Sequence, residues 1–501
     1  MSAVADNEKR AQCCLQYRCR RESARARGWY RRPGNRWRRV AAILIAGASA
    51  ACTHYQAAPL EPRHSAEQFA SRQLTDAQLR DDVSRFMPQA ASDWPPPAWD
   101  RAQLLAVALV RNPELAVAHA QTRAVLMHEA TVAQHPNPDL TLQSEYARND
   151  PYSWLYGVSL NWLLRPSERR RLDIQAARLD SLNARLQLMD QTWSVRNALA
   201  AALSDWESAR RRLTLLDRLE VSQERLLDLE QRRIKAGEDP PSELLVDERE
   251  HIAIEQQHSE QRALAEAAQA AAAKTLGIPP QALDGVTLAW PDWGEPPSLS
   301  EAELDAAREQ ALLSRTDLRI AIGEYAAAET KLQLAVARQY PQLVLQPGFY
   351  WDHGIAKFPF DVTFELPFNR NRGEIAEARA GRELAGQRML AVQATIYGQI
   401  AEAERAEHIA RASDEVAERQ LQAAQKQAQQ SDLALRLGAM DALERTSAQI
   451  FAIRAQLELI QIRTQLQASR NTLEDVLRTP LSGPELALAK SMSAVLASGG
   501  S

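Results

Sequence analysis

The chain has little glycine, few aromatic side chains and almost no cysteine. Only 19 of its 501 residues are glycine and 6% are aromatic, whereas Ala, Leu, Gln, Glu and Arg are abundant, which is typical of long helices. Three of the four cysteines, Cys13, Cys14 and Cys19, lie in a segment that we expect to be removed on export. One cysteine then remains, which excludes a disulfide framework.

The sequence also lacks the patterns that accompany catalysis. It contains no phosphate-binding Gly-rich loop and no His-Glu-x-x-His sequence. His128 and His135 are seven residues apart, as are His251 and His258. Because seven residues are about two turns of a helix, one metal ion rarely reaches both members of such a pair. We therefore expect no enzyme activity, no cofactor and no metal site.

The basic residues are concentrated at the N-terminus. The first 51 residues carry 12 Lys/Arg and 3 Asp/Glu, so that 48 basic and 61 acidic residues remain in the rest of the chain. Phosphate binding requires a basic surface. The acidic balance therefore disfavours nucleic acid as a partner.

The N-terminal segment has the pattern of a secretory signal. Residues 18–39 are Arg-rich, and Val40–Ala51 are apolar or small, a run too short to span a bilayer. The run ends at Cys52 and resembles a bacterial lipobox, although Ser49 stands where Leu is usual. We expect lipidation of Cys52; the alternative is an ordinary cleaved signal. Thr53 in place of Asp favours the outer over the inner membrane, by analogy with bacterial lipoproteins.

Two halves of the chain repeat at an offset of 203 residues. Leu115 corresponds to Leu318, Pro138 to Pro341 and Leu140 to Leu343. Each half predicts a helix, two short strands and a long helical hairpin. At the start of the first copy, Asn112 before Pro113 is a good helix N-cap.

Four segments have the two-residue period of strands. In the second of them Tyr156, Val158 and Leu160 alternate with small or polar residues. Ordinary hairpins packed on a core are hard to accommodate, because almost nothing else in the chain is strand. The predicted strands are about 139–148, 154–163, 342–351 and 358–367.

A long helical hairpin follows each pair of strands. From Pro166 to Gly237 neither Pro nor Gly interrupts the chain, a run that would span roughly 100 Å as a helix. Residues 242–276 return for about half that length, and 373–438 with 441–479 form the second hairpin. Leucines at three- and four-residue spacing indicate a packing seam. A cytosolic coiled coil would share the seam but not the export signal.

These elements together predict an oligomeric pore. Tilted strands of about ten residues can cross a membrane, but four strands cannot close and lipid tolerates no open edge. Three copies would give twelve strands. We therefore expect a mainly α fold with a small β part, in which a trimeric α-barrel continues a 12-stranded transmembrane β-barrel. The alternative is an exported coiled-coil lipoprotein that acts as a scaffold and does not conduct.

The chain resembles the TolC family of outer-membrane efflux and secretion channels over roughly residues 98–482. The resemblance implies a homotrimer with a β-barrel in the outer membrane and an α-barrel in the periplasm. A mixed equatorial region would be built from residues near 277–300 and the C-terminal segment. The features that carry the resemblance are residues 112–115, 138–140 and 366–368 and the hairpin tips around Gly237 and Gly438.

The chain divides accordingly into five segments. We expect a basic leader and signal peptide at 1–51, a lipid-anchored linker at 52–97, the first repeat at 98–290, the second at 291–482 and a C-terminal tail at 483–501.

The resemblance implies a passive channel that a periplasmic adaptor protein docks to an inner-membrane pump. His135–Leu140 and Arg165–Arg171 resemble in part the CzcC-like branch, which exports heavy metals, but that branch has Gly where this chain has Ser167 or Glu168. This branch implies metal cations as substrate and a pump of the RND type. The alternatives are multidrug or organic-solute efflux and type I secretion.

The family places its periplasmic constriction at the second hairpin tip, with acidic residues six and nine positions after a glycine. Counted from Gly438, these positions are Glu444 and Ser447, and Asp441 lies one helical turn before Glu444. We expect Asp441 and Glu444 to form the constriction. The alternative is that they only form a capping box for the returning helix.

Other residues at the tips are expected to contact the adaptor. Family gate positions are filled here by Leu435 and Met440 rather than by an aromatic residue and an arginine, so we expect no family-like ionic lock. The predicted adaptor-contacting residues are Gly237, Glu243, Arg436 and Gly438.

Overall fold

The structure is a computed structural model of the chain. It describes residues 55–85, 87, 94–148, 151, 153–352, 354–366 and 368–488, without the side chains of Glu243, Leu313 and Ser314. The leader and Cys52 lie outside the described residues. The chain divides into two units, residues 1–62 and 63–501. Residues 55–62 of the first unit are exposed, and the following description concerns the second unit.

The described residues are mostly helical. The helices are α1 (Pro62–Ala70), α2 (Ala77–Ser84), α3 (Arg101–Arg111), α4 (Pro113–Val132), α5 (Ser167–Ala236), α6 (Pro241–Leu276), α7 (Glu301–Ser314), α8 (Thr316–Ala337), α9 (Arg372–Arg436) and α10 (Ala442–Leu477). The strands are β1 (Asp139–Tyr146), β2 (Trp154–Leu164), β3 (Leu343–Asp352), β4 (Ile355–Lys357) and β5 (Phe360–Phe364). The order helix, helix, strands, long helix and shorter helix occurs twice, from α3 to α6 and from α7 to α10. None of the described helices combines the length and apolar character that a membrane-spanning helix requires.

The segment predicted to be a linker contains two short helices. Leu79 and Val83 of α2, together with Leu74 before it, are buried in the main hydrophobic core. The interpretation of this part of the chain as a linker is therefore wrong. A helix of eight residues offers only about two turns, which is too few for its apolar spacing to stand out in the sequence.

The strands form one antiparallel sheet in the order β1, β2, β3 and then β4 with β5. β3 pairs with β2 on one side and with both β4 and β5 on the other, so the last two act as one interrupted strand. The interruption falls at Phe358-Pro359, because proline has no N–H to donate to a neighbouring strand. The Pro359 carbonyl still accepts a hydrogen bond from the Gly348 N–H at 2.9 Å. The sheet thus has four rows, and the fourth row is broken where one continuous strand was expected.

Two long helical hairpins follow the strands. The 70 residues of α5 end at Gly237, which has a left-handed conformation with φ +79°. Pro241 occupies the first turn of the returning α6, where its missing N–H needs no partner. In the second hairpin, α9 has 65 residues and α10 has 36. The two hairpins pack together through an apolar cluster: Leu215, Leu216, Leu219, Leu226, Ile254, Ile450 and Ile453.

The main core lies where α2, α3 and the middle of α5 meet the end of α6 and residues 278–293. Trp293 is fully buried there, and its Nε1 donates to Ser204 Oγ at 3.1 Å. Leu488 belongs to the same core, and the buried Glu485 forms an ion pair with Arg196. The predicted C-terminal tail therefore begins with residues that pack firmly against the rest of the unit.

Candidate functional site: the two hairpin tips

Both hairpin tips close with the same backbone arrangement. At the first tip the N–H of Gly237 donates to the carbonyl of Ile234 at 3.0 Å, and the N–H of Glu238 donates to that of Arg233 at 3.0 Å. Gly438 and Ala439 make the equivalent bonds at the second tip, at 3.1 and 2.9 Å. This pattern needs a residue with positive φ, which glycine adopts without strain. The glycine in the sequence therefore marks where each hairpin turns.

Asp441 begins α10 through a reciprocal capping box. One carboxylate oxygen of Asp441 accepts from the Glu444 N–H at 2.7 Å, and Glu444 accepts from the Asp441 N–H at 3.4 Å. The capping box predicted from the sequence is thus present.

An arginine of the first hairpin joins the two tips. Arg233 Nη1 lies 2.7 Å from Asp441 Oδ2, and its Nε lies 2.6 Å from Asp239 Oδ2. Burial acts to lower the pKa of Arg233, but Asp239, Asp441 and Glu238 together outweigh it and raise that pKa. Arg233 therefore stays charged and holds Asp441 against the first tip. No pattern in the sequence predicted a role for Arg233, because it is separated from Asp441 by 208 positions.

The two predicted constriction residues differ in their electrostatic environment. Asp441 is partly neutralised by Arg233. Glu444 is exposed, and within the described part of the chain no cation forms an ion pair with it. Of the two carboxylates, Glu444 is therefore the one whose charge is not offset by an ion pair among the described residues.

A further ion pair lies just beyond the second tip. Arg445 of α10 lies 2.6 Å from the Asp432 carboxylate of α9, which fastens the two helices of that hairpin to each other. Arg454 of α10 and Glu250 of α6 form an ion pair between the hairpins. Several ion pairs therefore lie at or near the two tips, and the Arg233–Asp441 pair lies at the turn itself.

The residues predicted to contact an adaptor lie on the surface of the tips. Gly237, Arg436 and Gly438 are exposed. No atom of the structure comes within 4 Å of a Cβ built at either glycine, so the space around both is open. Glu243 lies in the first turn of α6, but its side chain is outside the described residues. Leu245, Val246 and Leu437 add exposed apolar surface at the same end of the hairpins.

The histidines of the first hairpin pair with single carboxylates. His258 Nε2 lies 2.8 Å from Asp217 Oδ1, and His251 Nε2 lies 3.5 Å from Glu255 Oε1. Among the described residues, no three or more His, Cys, Asp or Glu side chains are grouped so that they could hold a metal ion.

The sequence of residues 104–277 matches the family model for outer membrane efflux protein. Over this segment the chain is similar to that family. The matched residues run from α3 to the end of α6 and so include the first two strands and the first tip. No curated protein sequence matches the chain.

Solved structures of outer-membrane channels share the fold of this chain. The OprN channel is 19% identical, with a TM-score of 0.63, covering 85% of this chain and 97% of its own. The CmeC channel of Campylobacter jejuni is 13% identical, with a TM-score of 0.63, covering 88% and 96%. The open state of the MtrE channel of Neisseria gonorrhoeae is 16% identical, with a TM-score of 0.60, covering 76% and 89%. At these identities the likeness concerns the fold alone.

Proposed function

We propose that three copies of this chain form an outer-membrane channel that passively conducts substrate from the periplasm to the exterior. One observation carries the proposal: within the described part of the chain, a sheet of four rows has two unpaired edges and continues directly into hairpins whose longer helices have 70 and 65 residues. Such a sheet can satisfy its edges in lipid only by pairing with other copies. The shared fold with outer-membrane channels supports the same conclusion.

The partners follow from this proposal. A periplasmic adaptor would dock at the exposed tips, including Gly237, Glu243, Arg436 and Gly438, and an inner-membrane pump of the RND type would supply the energy. Lipidation of Cys52 would add an anchor in the outer membrane. The channel itself performs no chemistry and requires no cofactor.

Conductance and electron microscopy test the channel directly. Purified protein in a planar bilayer should give discrete conductance steps, and particles in detergent should be hollow trimeric cylinders about 100 Å or longer. Particles without a lumen, together with bilayers that stay silent, would instead support the non-conducting scaffold.

For the substrate we propose metal cations, supported by the partial resemblance of residues 135–140 and 165–171 to the CzcC-like branch. A deletion strain should become sensitive to zinc, cobalt, cadmium, copper or silver, and the wild-type gene should restore growth. Sensitivity confined to dyes and antibiotics would assign the chain to multidrug efflux. Loss of a secreted protein without either sensitivity would assign it to type I secretion.

We further propose that Glu444 contributes a ring of three carboxylates at the constriction, which attracts cations. Glu444→Gln removes the charge but keeps a side chain that can complete the capping box. The variant channel should therefore lose cation selectivity, measured as a shift of the reversal potential in a salt gradient. Glu248→Gln, at an exposed position of α6, is the matched control. A reversal potential that Glu444→Gln leaves unchanged would restrict Glu444 to helix capping.

A further inference from the structure

A cleft lined by arginines lies where β2 passes into α5. Its volume is about 680 Å³. The lining contains Arg165, Arg170, Arg171 and Arg178 together with His135, and it contains no carboxylate. Four cationic side chains around one cleft repel one another unless an anion lies between them. The cleft is therefore suited to a ligand that carries negative charge.

Groups of the protein neutralise these arginines only weakly. Arg170 Nη2 donates to the Ala133 carbonyl at the end of α4, at 2.8 Å, while its buried Nε has no hydrogen-bond partner in the structure. Arg171 lies 3.9 Å from Glu168, and Arg178 lies 3.7 Å from Glu129. Both distances exceed that of a hydrogen-bonded ion pair. The side chains of Arg171 and Arg178 are also mostly exposed, so these pairs neutralise them weakly.

A further arginine increases the positive potential beside the cleft. The pKa of Arg169 is lowered, first by burial and then by the neighbouring Arg338 and Arg165, although Asp173 and Glu365 oppose this effect. Arg169 thus adds to the cations at the start of α5.

An apolar strand surface ends at the same junction. Trp162 and Leu164 of β2 are 52% and 39% exposed, and Leu343, which pairs with Leu164, is 41% exposed. Arg165 follows Leu164 directly in the chain. The apolar surface therefore ends directly beside the first arginine of the cleft. A lipid has the same arrangement, with an apolar tail next to a charged headgroup.

We propose that the cleft binds the phosphate group of an anionic membrane phospholipid, whose acyl chains lie along Trp162 and Leu164. Guanidinium groups bind phosphate oxygens in pairs, and basic pockets beside membrane-spanning segments hold lipid headgroups. The inference rests on the proposed function, because it requires the sheet to lie in the membrane. It assigns the arginines of 165–178 to a lipid rather than to the conducted substrate.

The surroundings favour a lipid over the other occupants of an arginine cleft. A free phosphate ion would use the arginines but not the exposed Trp162 and Leu164. A second copy of the chain would have to present acidic side chains, whereas a lipid supplies the phosphate and the apolar part in one molecule. Arg165, Arg171 and Arg178 are the exposed arginines of the lining, and Arg165 and Arg171 are the two of them nearest in the chain to the apolar end of β2.

Native mass spectrometry of the full-length protein in detergent tests the proposal. The protein would be titrated with phosphatidylglycerol, with phosphatidylcholine and with inorganic phosphate. Phosphatidylglycerol should bind in preference to phosphatidylcholine. The double variant Arg165→Gln/Arg171→Gln should bind phosphatidylglycerol about thirtyfold more weakly, since each arginine near an anionic lipid surface contributes about fivefold. The control Arg225→Gln/Arg249→Gln removes the same charge at exposed positions of α5 and α6 and should bind like wild type.

Three outcomes would overturn the proposal. Equal binding of the two lipids, or unchanged binding by the double variant, would show that the cleft holds no headgroup. Displacement of the lipid by an equal concentration of inorganic phosphate would indicate a site for the free ion. Dissociation of the oligomer by the double variant, with lipid binding intact, would make the cleft an interface between copies. Arg165→Lys/Arg171→Lys, which keeps the charge but loses the paired guanidinium bonds, should bind more tightly than the glutamine double variant and less tightly than wild type, and so separates ligand loss from misfolding.

A conductance measurement distinguishes a failure of the channel proposal from a failure of the lipid proposal. Conductance would be recorded with the same wild-type preparation. Selective phosphatidylglycerol binding by a protein that does not conduct would contradict the proposed function and leave the lipid site standing. A conducting protein without lipid preference would contradict only the lipid site.

Discussion

Asn112 joins the start of α4 to the end of α6. Its Oδ1 accepts from the Leu115 N–H at 3.0 Å, and its Nδ2 donates to the Thr275 carbonyl at 2.7 Å. One buried amide therefore caps one helix and satisfies a terminal carbonyl of another. The sequence predicted the cap, because a cap depends on residues within the same turn. It could not predict the bond to Thr275, which is 163 positions away.

The corresponding junction before α8 makes the same two kinds of contact with different side chains. Arg315 Nη1 donates to the Val476 carbonyl near the end of α10 at 2.9 Å, and Asp317 accepts from the Leu318 N–H at 2.9 Å. Arg315 and Asp317 also bind each other, with Nη2 and Oδ2 2.6 Å apart. Arg315 and Asp317 together thus bind a carbonyl and an N–H, the two kinds of group that Asn112 binds at the start of α4.

Asn112→Ala should destabilise the protein by about 2 kcal/mol, because it removes a helix cap and leaves a buried carbonyl without its partner. The change is measured as a fall in the thermal midpoint of the helical circular dichroism signal. Asn112→Ser keeps a capping oxygen without the amide that donates to Thr275 and without adding a buried charge, so it separates the two effects. A midpoint equal to that of wild type in Asn112→Ala would mean that neither bond contributes to stability.

The long helices were the most predictable elements. α5 was expected between Pro166 and Gly237, and it occupies Ser167–Ala236. Its residues favour helix throughout, and its ends are set by local signals, Pro166 before it and the left-handed Gly237 after it. The broken fourth row of the sheet was not predictable in this way. Strand pairing at Pro359 depends on β3, which the sequence does not place beside it.

The contact between Arg233 and Asp441 illustrates the same limit at the hairpin tips. The family gate positions of the second tip indicated no ionic lock, because they are filled by the uncharged residues Leu435 and Met440. In the structure an arginine of the first hairpin, Arg233, forms an ion pair with Asp441 of the second tip. A local pattern could identify the capping box of Asp441, but only the packing of two hairpins reveals the partner of its second carboxylate oxygen.

Arg233→Gln should raise the mean single-channel conductance of the proposed channel, because it releases the second tip from the first and leaves the Asp441 carboxylates to repel one another. Recordings in planar bilayers measure the change. Arg232→Gln is the matched control, since Arg232 is paired with Asp228 of its own helix, 2.7 Å away, and does not join the hairpins. Equal conductance of the two variants would mean that the Arg233–Asp441 contact does not restrict the tip.

The sheet of one chain is left with two edges. Within the described residues β1 pairs only with β2, and β4 and β5 pair only with β3. Leu140, Leu142 and Phe360 on these edge strands are exposed. Such edges associate with other strands. If the sheet lies in lipid, the edge β1 of one copy must meet the edge β5 of the next until the ring closes.

Cysteines placed on the two edges should therefore form disulfides between copies. Thr141 of β1 and Thr363 of β5 are three strand spacings apart within one chain, roughly 14 Å, which is too far for a disulfide. In a Cys52→Ser background, Thr141→Cys combined with Thr363→Cys, or with Asp361→Cys if the register differs, should give dimers and covalent trimers on oxidation. Each single variant should remain monomeric on a denaturing gel. Disulfides formed by Thr141→Cys alone would mean that β1 meets β1, an arrangement that joins two copies and cannot close a ring of three.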